Sequence, residues 1–422
     1  MSVPSREPPG RKRVWIVNQY ADAPDRPTGT RHFDLARQLV ARGHSVVIFA
    51  AGFSNITHRE DRLSGFRLYR TESLAGVRFV WLRTFPHEGN SWRRQVNMLT
   101  FVAAFLVVQT RFPAPGTVIG STVHPFAALG AWFVARWRHA RFIFEIRDLW
   151  PQTLVDLGVM RTGSVGERLL RTIEALLVRR SSTVITLLPG AQDYLRERGL
   201  PTDRVIYIPN GVDLSTPEPS VVDVPEPVER VLEVVREQRA SGRFVLGYVG
   251  ALGRVNRLDI LVEAARRAER TAPGRICLIV IGDGPERAAL ERQARLGGPV
   301  IIGPAVPKAH VSAVLRALDA TVVHATKTPV YRYGISFNKL FDYMAAERPV
   351  LFACASAYDP VAAVGAGITV QPDDPDGIAE AYLRLAAATP EERASMGAAG
   401  REYVIREHSI ERLGSRLASV IG

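Results

Sequence analysis

Cysteine is nearly absent from this chain. The 422 residues include two, Cys277 and Cys354, and each lies inside an apolar run typical of a strand. Two isolated cysteines provide neither a disulfide framework nor a metal cluster. We therefore interpret both as small buried apolar residues, in a protein of the reducing cytoplasm.

Long apolar segments are also missing. The first 11 residues are polar, proline-rich and basic, so they predict a disordered tail and no signal peptide. The apolar stretch 96–108 is shorter than the about 20 residues that cross a bilayer. It predicts either a buried helix or a helix in the membrane interface, because Arg93, Arg94 and Arg111 flank it.

Nucleic-acid motifs are absent as well. The net charge of +12 suits a nucleic acid, an anionic membrane or a phosphorylated substrate. The chain has no zinc-finger spacing and no aromatic RNA-binding signature. All six tryptophans fall within the first 150 residues, several beside arginines, which favours a membrane interface over nucleic acid. The alternative is that they pack the first domain.

Strand and helix patterns alternate along the whole chain, which indicates an α/β protein. Its length suggests two domains. We predict a first Rossmann-like domain at 12–213, a linker rich in proline and glutamate that includes a short charged helix at 214–240, and a second Rossmann-like domain at 241–405. A last helix, in 406–422, completes the chain.

The first domain begins with a strand–loop–helix–strand pattern over 14–50. A Rossmann unit of this kind directs its helix N-terminus into a crevice. The loop ends in PTGT, with Gly29 and Thr30 last. It lacks the G-x-G-x-x-G pattern, so a nicotinamide fingerprint is missing. A loop that only caps its helix is the alternative.

Polar residues follow two further strands of this domain. His124 comes shortly after strand 117–120, while Arg147 and Asp148 follow strand 141–146. The carboxyl ends of parallel strands form the ligand crevice of such sheets, so Arg147 could bind a phosphate and Asp148 an acceptor hydroxyl. The alternatives are a structural histidine and a local arginine–carboxylate pair that fixes the loop.

The richest motif is YRYGISFNKLFDYMA at 331–345. A glycine-containing loop precedes a helix, for which Ser336 is the predicted N-cap. Lys339 adds a positive charge to the helix N-terminus, a combination that suits a diphosphate. Asp342 could accept hydrogen bonds from sugar hydroxyls. An ordinary capped helix with a surface lysine and aspartate is the alternative.

This motif resembles the donor-binding motif of family 4 glycosyltransferases, and is most similar to the bacterial branch that adds amino sugars to lipid-linked glycans. Most members carry Glu-x7-Glu here. In this chain the first glutamate position falls on Gly334 and the second on Asp342. The resemblance implies that Asp342 holds the nucleotide ribose and that sugar recognition departs from the pattern. The string EIRDLWP at 145–151 resembles the same branch.

The resemblance also extends to other loops. It implies that Gly29 and Thr30 approach the donor phosphates or the acceptor, and that His124 lies near the donor sugar. After Gly250 the family usually has an arginine and, five residues later, a lysine; these positions are Ala251 and Asn256 here. We expect Arg254 to replace them as a phosphate ligand. The expected donor-binding residues are Gly29, Thr30, Gly250, Ser336, Asn338, Lys339 and Asp342.

The expected protein is thus a GT-B enzyme, with two Rossmann-like domains facing across a cleft and a C-terminal helix that crosses back to the first domain. The resemblance implies transfer of a sugar from a UDP-sugar to an acceptor hydroxyl, with retention and without a metal, and with His124, Lys339 and Arg254 as catalytic groups. The acceptor would be a lipid-linked glycan at the inner face of an anionic membrane, with no nucleic acid bound. A UDP-sugar 2-epimerase of the same fold and a basic binding module are the alternatives.

Overall fold

The computed structural model describes residues 12–26, 29–55, 57–89, 92–215 and 224–422. The chain forms two compact units: unit 1 runs to Pro209 and includes Ile410–Gly422, and unit 2 is Asn210–Ser409. Three sequence predictions lie wholly or partly outside the described residues: the tail 1–11, positions 27 and 28 of the first loop, and 216–223 of the linker.

Unit 1 is built on an eight-stranded sheet in the order β3-β4-β2-β1-β5-β6-β7-β8. Neighbouring strands are parallel except for β3 and β4. The strands are β1 Arg13–Val17, β2 Ser45–Ala51, β3 Tyr69–Leu74, β4 Val77–Leu82, β5 Thr117–Ser121, β6 Arg141–Ile146, β7 Thr183–Thr186 and β8 Val205–Tyr207. The helices are α1 Arg31–Ala41, α2 Trp92–Val108, α3 Pro125–Trp137, α4 Gln152–Asp156, α5 Val165–Arg180, α6 Ala191–Glu197 and, at the end of the chain, α15 Ile410–Ile421.

Helices cover both faces of this sheet. Successive side chains of a strand point to opposite faces, so each buried strand contributes to a core on both sides. On one face Ile16 and Ile48 share a core with Leu413 of α15, and α15 packs against α1. On the other face Phe49 packs edge-on against Phe105 of α2. The expectation that the last helix returns to the first half of the chain is confirmed.

Strand β3 is one of the elements of unit 1 that the sequence analysis did not predict. It pairs antiparallel with β4 through the turn Ala75-Gly76, where both residues have positive φ (47° and 79°). Such a two-residue turn matches the twist of a hairpin. The strand, YRTESL, lies at the sheet edge and is largely exposed, so its apolar signal is weak.

Unit 2 has a six-stranded, fully parallel sheet in the order β11-β10-β9-β12-β13-β14. The strands are β9 Phe244–Val249, β10 Ile276–Ile281, β11 Val300–Gly303, β12 Ala320–His324, β13 Val350–Ala353 and β14 Gly367–Val370. The helices are α7 Glu226–Ala240, α8 Leu258–Thr271, α9 Arg287–Arg295, α10 Val311–Ala317, α11 Asn338–Ala345, α12 Pro360–Val364, α13 Pro375–Ala387 and α14 Pro390–Tyr403.

The central strands β9 and β10 are buried along their whole length, as continuous apolar strands covered on both faces should be. Helix α7 lies in the segment that the sequence analysis assigned to the linker. Its residues Val228, Val231 and Val235 are buried in a core of unit 2. Their spacing of three and four residues forms one apolar helix face, so α7 belongs to unit 2 and not to a linker.

A buried ionic network closes the carboxyl end of β6 in unit 1. Glu145 accepts hydrogen bonds from Nε and Nη2 of Arg31, at 3.2 and 3.1 Å, and from Nε2 of His32, at 2.6 Å. All three side chains are at least 94 % buried. Burial alone would raise the pKa of Glu145, but His32 and Arg31 hold this pKa well below its usual value.

We predict that Glu145→Gln lowers the free energy of unfolding by about 3–5 kcal/mol, because it leaves the Arg31 guanidinium buried without a counter-charge. Urea unfolding at pH 7 measures this. Glu229→Gln on the exposed side of α7 is the matched control, expected to change stability by less than about 0.5 kcal/mol. A Glu145→Gln protein as stable as the control would contradict the interpretation.

Candidate functional site

Two glycine-rich loops press together at the carboxyl ends of β9 and β10. Gly250, Gly282 and Gly284 have φ values of 155°, 149° and 154°. A Cβ on Gly282 would overlap the carbonyl of Gly250, and one on Gly284 would overlap the backbone of Leu252. Only glycine permits this approach. The result is a backbone-lined surface at the strand ends, where open α/β sheets bind ligands.

The loop that follows β9 is also held from β12. His324 accepts a hydrogen bond at Nε2 from the Asp373 N–H at 3.0 Å, so its proton is on Nδ1 and is donated to the Asn256 carbonyl at 2.9 Å. The N–H of Thr326 donates to the Val255 carbonyl at 3.1 Å. These bonds fix the end of the loop close to the strand edge.

Lys339, on the first turn of α11, reaches this loop. Its Nζ donates to the Tyr248 hydroxyl at 2.6 Å and to Oδ1 of Asn256 at 2.8 Å, and lies 4.5 Å from the centroid of the Tyr248 ring. The Asn256 Nδ2 donates to the carbonyl of Ala251 at 3.0 Å, which sets the orientation of its amide. Tyr248 donates to the same carbonyl at 2.8 Å.

A second side chain of α11 fixes the helix to β9. Tyr343 lies one turn after Lys339, on the same helix face. Its hydroxyl donates to the Val249 carbonyl and accepts from the Val249 N–H, both at 2.7 Å. Lys339 is therefore presented by a helix whose position relative to the strand is set by two buried hydrogen bonds.

The electrostatic environment of Lys339 is unusual for a lysine. Burial lowers its pKa to about 7, since removal from water disfavours the charged form. Within the described ranges, no carboxylate oxygen lies within 4 Å of Nζ, and both hydrogen-bond acceptors are neutral. Lysine is rarely buried unless paired, so an ammonium held here favours an incoming anion.

The prediction that Ser336 caps this helix is wrong. Helix α11 begins at Asn338, Phe337 occupies the N-cap position, and no side chain accepts a capping hydrogen bond there. The Ser336 carbonyl instead accepts from Nδ2 of Asn210 at 2.7 Å. Asn338 itself is exposed. The backbone N–H groups at the start of the helix are therefore not covered by a cap from Ser336.

Two positions of the Glu-x7-Glu pattern lie on either side of this helix start. Asp342 is half-buried, three residues after Lys339 and so close to the same helix face. Gly334 has φ 99° and ψ −180°, a region that is accessible essentially only to glycine. A glutamate at Gly334 would be strained, so the chain path itself departs from the family pattern here.

Arg254 opens the short 3-10 turn Arg254–Asn256 after β9. Its side chain is 86 % exposed and its Nε lies 3.3 Å from Oε1 of Glu286. In the described part of the chain no contact joins it to Lys339. The structure thus places Arg254 in the expected loop but at the surface, and its role as a phosphate ligand stays a prediction.

In unit 1, His124 is fully buried and acts as the N-cap of α3. Its Nδ1 accepts from the Ala127 N–H at 3.2 Å, so its Nε2 carries the proton and donates to Oε1 of Gln19 at 2.6 Å. Burial lowers its pKa to about 3. With both ring nitrogens engaged, the structure supports a capping role and gives no support to catalysis by this histidine.

The other predicted residues of unit 1 lie at strand or helix ends. Gly29 is exposed, whereas Thr30 is buried just before α1 and donates from Oγ1 to Asp34 at 2.5 Å. Arg147 is half-buried and Asp148 exposed after β6. In the part of the chain that the structure describes, no ion pair within 4 Å joins these two, and the alternative of a local arginine–carboxylate pair that fixes the loop stays open. Their roles toward an acceptor stay predictions.

No group of three or more His, Cys, Asp or Glu side chains among the described residues could hold a metal ion. The two carboxylates of Asp374-Pro375-Asp376 lie close together in the sequence, but both have structural roles at the start of α13. Asp374 caps this helix by accepting from two backbone N–H groups, and Asp376 pairs with Arg267 at 2.5 Å. A metal-free reaction stays a prediction.

Sequence reasoning missed Tyr248 and named Asn256 only as a departure from a pattern. Tyr248 lies within a buried strand, where an aromatic residue is typical of a core. The available signal was the pair Lys339 and Tyr343, four residues apart on α11, which must face a common neighbour. The buried network of Glu145 was equally hidden, because its partners on α1 are more than 100 residues away.

Comparison with known proteins agrees with this geometry. The family described as "Glycosyl transferase 4-like domain" matches residues 28–211, and "Glycosyl transferases group 1" matches 243–388. A D-inositol 3-phosphate glycosyltransferase of Xylanimonas cellulosilytica is 25 % identical over 361 residues, covering 82 % of this chain and 77 % of that protein.

Two solved structures share the fold. HepE of Anabaena, in complex with UDP and glucose, has a TM-score of 0.65 at 14 % identity and covers 97 % of this chain and 99 % of its own. WaaG, described as a glycosyltransferase involved in lipopolysaccharide biosynthesis, has a TM-score of 0.64 at 16 % identity with the same coverage. Both halves match transferases, which argues against the epimerase and the binding module. The chain is therefore a member of the group 1, family 4 glycosyltransferases with the GT-B fold, and transfers a sugar from a nucleotide-sugar donor.

Proposed function

We propose that this enzyme moves an N-acetylated or amino sugar from a UDP-sugar to a hydroxyl of a lipid-linked glycan in cell-surface polysaccharide assembly. Transfer proceeds with retention and without a metal. The observation that carries the proposal is the half-buried ammonium of Lys339, held at the carboxyl end of β9 with no carboxylate of the described residues within 4 Å of its Nζ. The bound UDP and glucose of HepE and the pathway named for WaaG support the donor and the pathway.

The diphosphate binds against Lys339. An ammonium has three N–H donors, and Tyr248 and Asn256 accept two of them. The third is directed to a phosphate oxygen, next to the backbone N–H groups that begin α11. Arg254 adds a second cation, because an exposed ion pair such as that with Glu286 is worth at most about 1 kcal/mol and is easily exchanged for a phosphate.

Charge on the leaving diphosphate drives the chemistry. The acceptor oxygen bonds to the anomeric carbon on the face from which the diphosphate departs, as the bond between that carbon and the phosphate oxygen breaks. The acceptor proton passes to an oxygen of the leaving phosphate. Lys339 stabilises the negative charge that develops there, in a site where partial burial strengthens the interaction.

Asp342 binds the ribose of the donor. It lies one turn beyond Lys339 on α11 and is half-buried, so a nucleotide whose diphosphate contacts Lys339 has its ribose within reach of this carboxylate. Ionised carboxylates accept strong hydrogen bonds from hydroxyls. Because Gly334 supplies no side chain, recognition of the donor sugar rests on other groups than the first glutamate of the family pattern.

The acceptor is reached from a membrane surface through the outer side of α2 and α3, here termed the α2–α3 face. Large apolar side chains are exposed along it: Trp92, Leu99, Val107, Phe133 and Trp137, each at least 55 % exposed. The opposite side of α2 is buried in the core of unit 1. The segment is thus a core helix on one side and an exposed apolar surface on the other, which supports its proposed place at a membrane interface.

The charge around this face fits an anionic membrane. No aspartate or glutamate occurs between Glu88 and Glu145, a stretch with six arginines. Arg93 and Arg136 are exposed beside the apolar residues, and the guanidinium of Arg138 lies 5.2 Å from the Trp137 ring. Tryptophan and arginine are the residues that favour the headgroup region. None of the described helices is long and apolar enough to cross a bilayer.

We predict that Lys339→Met weakens UDP binding by about 1.5–3 kcal/mol, the value of a hydrogen bond to a charged group, and abolishes transfer. Isothermal titration with UDP measures the affinity. Arg295→Met, which removes an exposed positive charge from α9 of the same unit, is the matched control. Equal UDP affinity in the Lys339→Met and control proteins would disprove the assignment.

The pH profile gives the same experiment a second readout. The pKa of Lys339 is lowered to about 7, and a bound diphosphate favours the ammonium. Binding must therefore take up a proton above pH 7, and affinity falls as the pH rises, by up to about tenfold per unit. Measurements from pH 7 to 9 avoid the titration of the phosphate itself, which occurs near pH 6. The Lys339→Met profile should be flat.

For Asp342 we predict a loss of ribose discrimination. The wild type should bind UDP more tightly than 2′,3′-dideoxy-UDP by about 1.5–3 kcal/mol, whereas Asp342→Asn should bind both with similar, weak affinity. The melting temperature of the variant serves as the control for folding. Normal discrimination with a strongly lowered melting temperature would show that Asp342 is a structural residue.

For the α2–α3 face we predict flotation with anionic vesicles that high salt reverses only in part. Each arginine near the surface contributes about 1 kcal/mol and is screened, whereas each buried large apolar side chain contributes about 1.5–3 kcal/mol regardless of salt. Arg93→Glu with Arg94→Glu should reduce flotation strongly.

The control is an equal charge reversal on the other face of the sheet, Arg42→Glu with Arg412→Glu, both exposed. This variant should float like the wild type. If the wild type does not float at low salt, or if both double variants lose flotation equally, the α2–α3 face is not a membrane surface.

A further inference from the structure

Lysine is scarce in this chain. Only four of its 54 basic Lys and Arg residues are lysines: Lys12, Lys308, Lys327 and Lys339. A chain that uses arginine almost everywhere has a lysine at the one place, among the described residues, where a cation is half-buried against a tyrosine ring. A compact ammonium fits between Tyr248 and Asn256, whereas a planar guanidinium needs a wider space and different partners.

The partners of this ammonium are themselves immobile. Tyr248 is fully buried and its hydroxyl donates to the Ala251 carbonyl, so the oxygen turns a lone pair to Lys339. Asn256 is held twice, through its backbone carbonyl by His324 and through its side-chain Nδ2 by Ala251. Its Oδ1 is therefore directed at Nζ in a fixed geometry.

The surrounding charged groups are engaged elsewhere. The nearby cations Arg254 and Arg257 pair with Glu286 and Asp259. The Asp373 carboxylate accepts from the Lys327 N–H and faces His324. Two neutral acceptors thus orient the Lys339 ammonium without neutralising it. The charged form of Lys339 is thus oriented by groups that do not compensate its charge, and this charge is available for an anion.

We propose that Asn256 and Tyr248 are positioning residues that hold the Lys339 ammonium over the β9–α8 loop. The diphosphate subsite is then defined by the place of this positive charge and not by the helix that carries it. This inference rests on the proposed function. It has a direct consequence: position 256, whose side chain ends 2.8 Å from Nζ, can deliver the same charge from the opposite side of the subsite.

The test is a transposition of charge. We expect Lys339→Asn to weaken UDP binding by at least about tenfold, a difference of about 1.4 kcal/mol. Combining it with Asn256→Lys should restore affinity to within about threefold of the wild type, because the amide and the ammonium have exchanged places. Asn256→Leu, which removes the positioning acceptor and leaves Lys339, should weaken binding about tenfold.

Isothermal titration with UDP, together with the melting temperature of each variant, separates the outcomes. If the wild type binds UDP and the double variant stays as weak as Lys339→Asn, the positioning inference is overturned while the proposed function stands. If Asn256→Leu melts like the wild type and binds UDP as tightly, it is likewise overturned. If the wild type itself binds neither UDP nor a UDP-sugar, the proposed diphosphate site fails, and this inference with it.

A restored affinity in the double variant cannot come from a merely structural role of either residue. If Lys339 served only the stability of the fold, its removal would destabilise the protein even with a lysine at position 256. The double variant would then have a lower melting temperature than the wild type. Asn256→Lys alone is the remaining control. It puts two ammonium groups in contact, and the repulsion should lower the melting temperature of the free protein, with recovery on addition of UDP.

Discussion

The ammonium of Lys339 is partly withdrawn from water with no carboxylate beside it, and the loops around it are arranged to permit this. Desolvation of a charge is unfavourable unless hydrogen bonds replace the lost water. Tyr248 and Asn256 provide two, and each is oriented by the carbonyl of Ala251. Gly250, at the end of β9, has φ 155°, a backbone conformation that other residues rarely adopt. The glycine-lined loop thus leads directly from the strand to the residues that orient the lysine.

At the carboxyl end of the unit 1 sheet, buried charges are paired with each other, in contrast to the Lys339 ammonium in unit 2. There Glu145 compensates Arg31, and His32 occupies the second carboxylate oxygen. A fully paired network is rigid, and breaking one member is costly. Such a network fixes the loop that carries Arg147 and Asp148 but has no charge left over for a ligand. In unit 2 the charge is oriented by neutral groups, which leaves it available for an anion.

The fold followed from the sequence where the pattern was local and periodic. Helices α2 and α15 were expected near the residues where they occur, because their apolar spacing continues to their ends. Lys339 could be predicted as a site residue because the glycine-containing loop, the helix start and the lysine fall within one short motif. Tyr248 and Asn256 could not be assigned to it, because their contacts join residues 83 to 91 positions apart. Ser336 was misplaced as a cap because capping depends on the path of the preceding loop, which Gly334 sets.

The departures from the family pattern belong together. The resemblance implied two loop cations, which are Ala251 and Asn256 here, and a first glutamate, which is Gly334. A glutamate at Gly334 is excluded by its backbone, at φ 99°. Compared with that pattern, the chain thus lacks two cations and one carboxylate at these positions. The proposed diphosphate site therefore depends on Lys339, which Tyr248 and Asn256 orient, and on the more exposed Arg254.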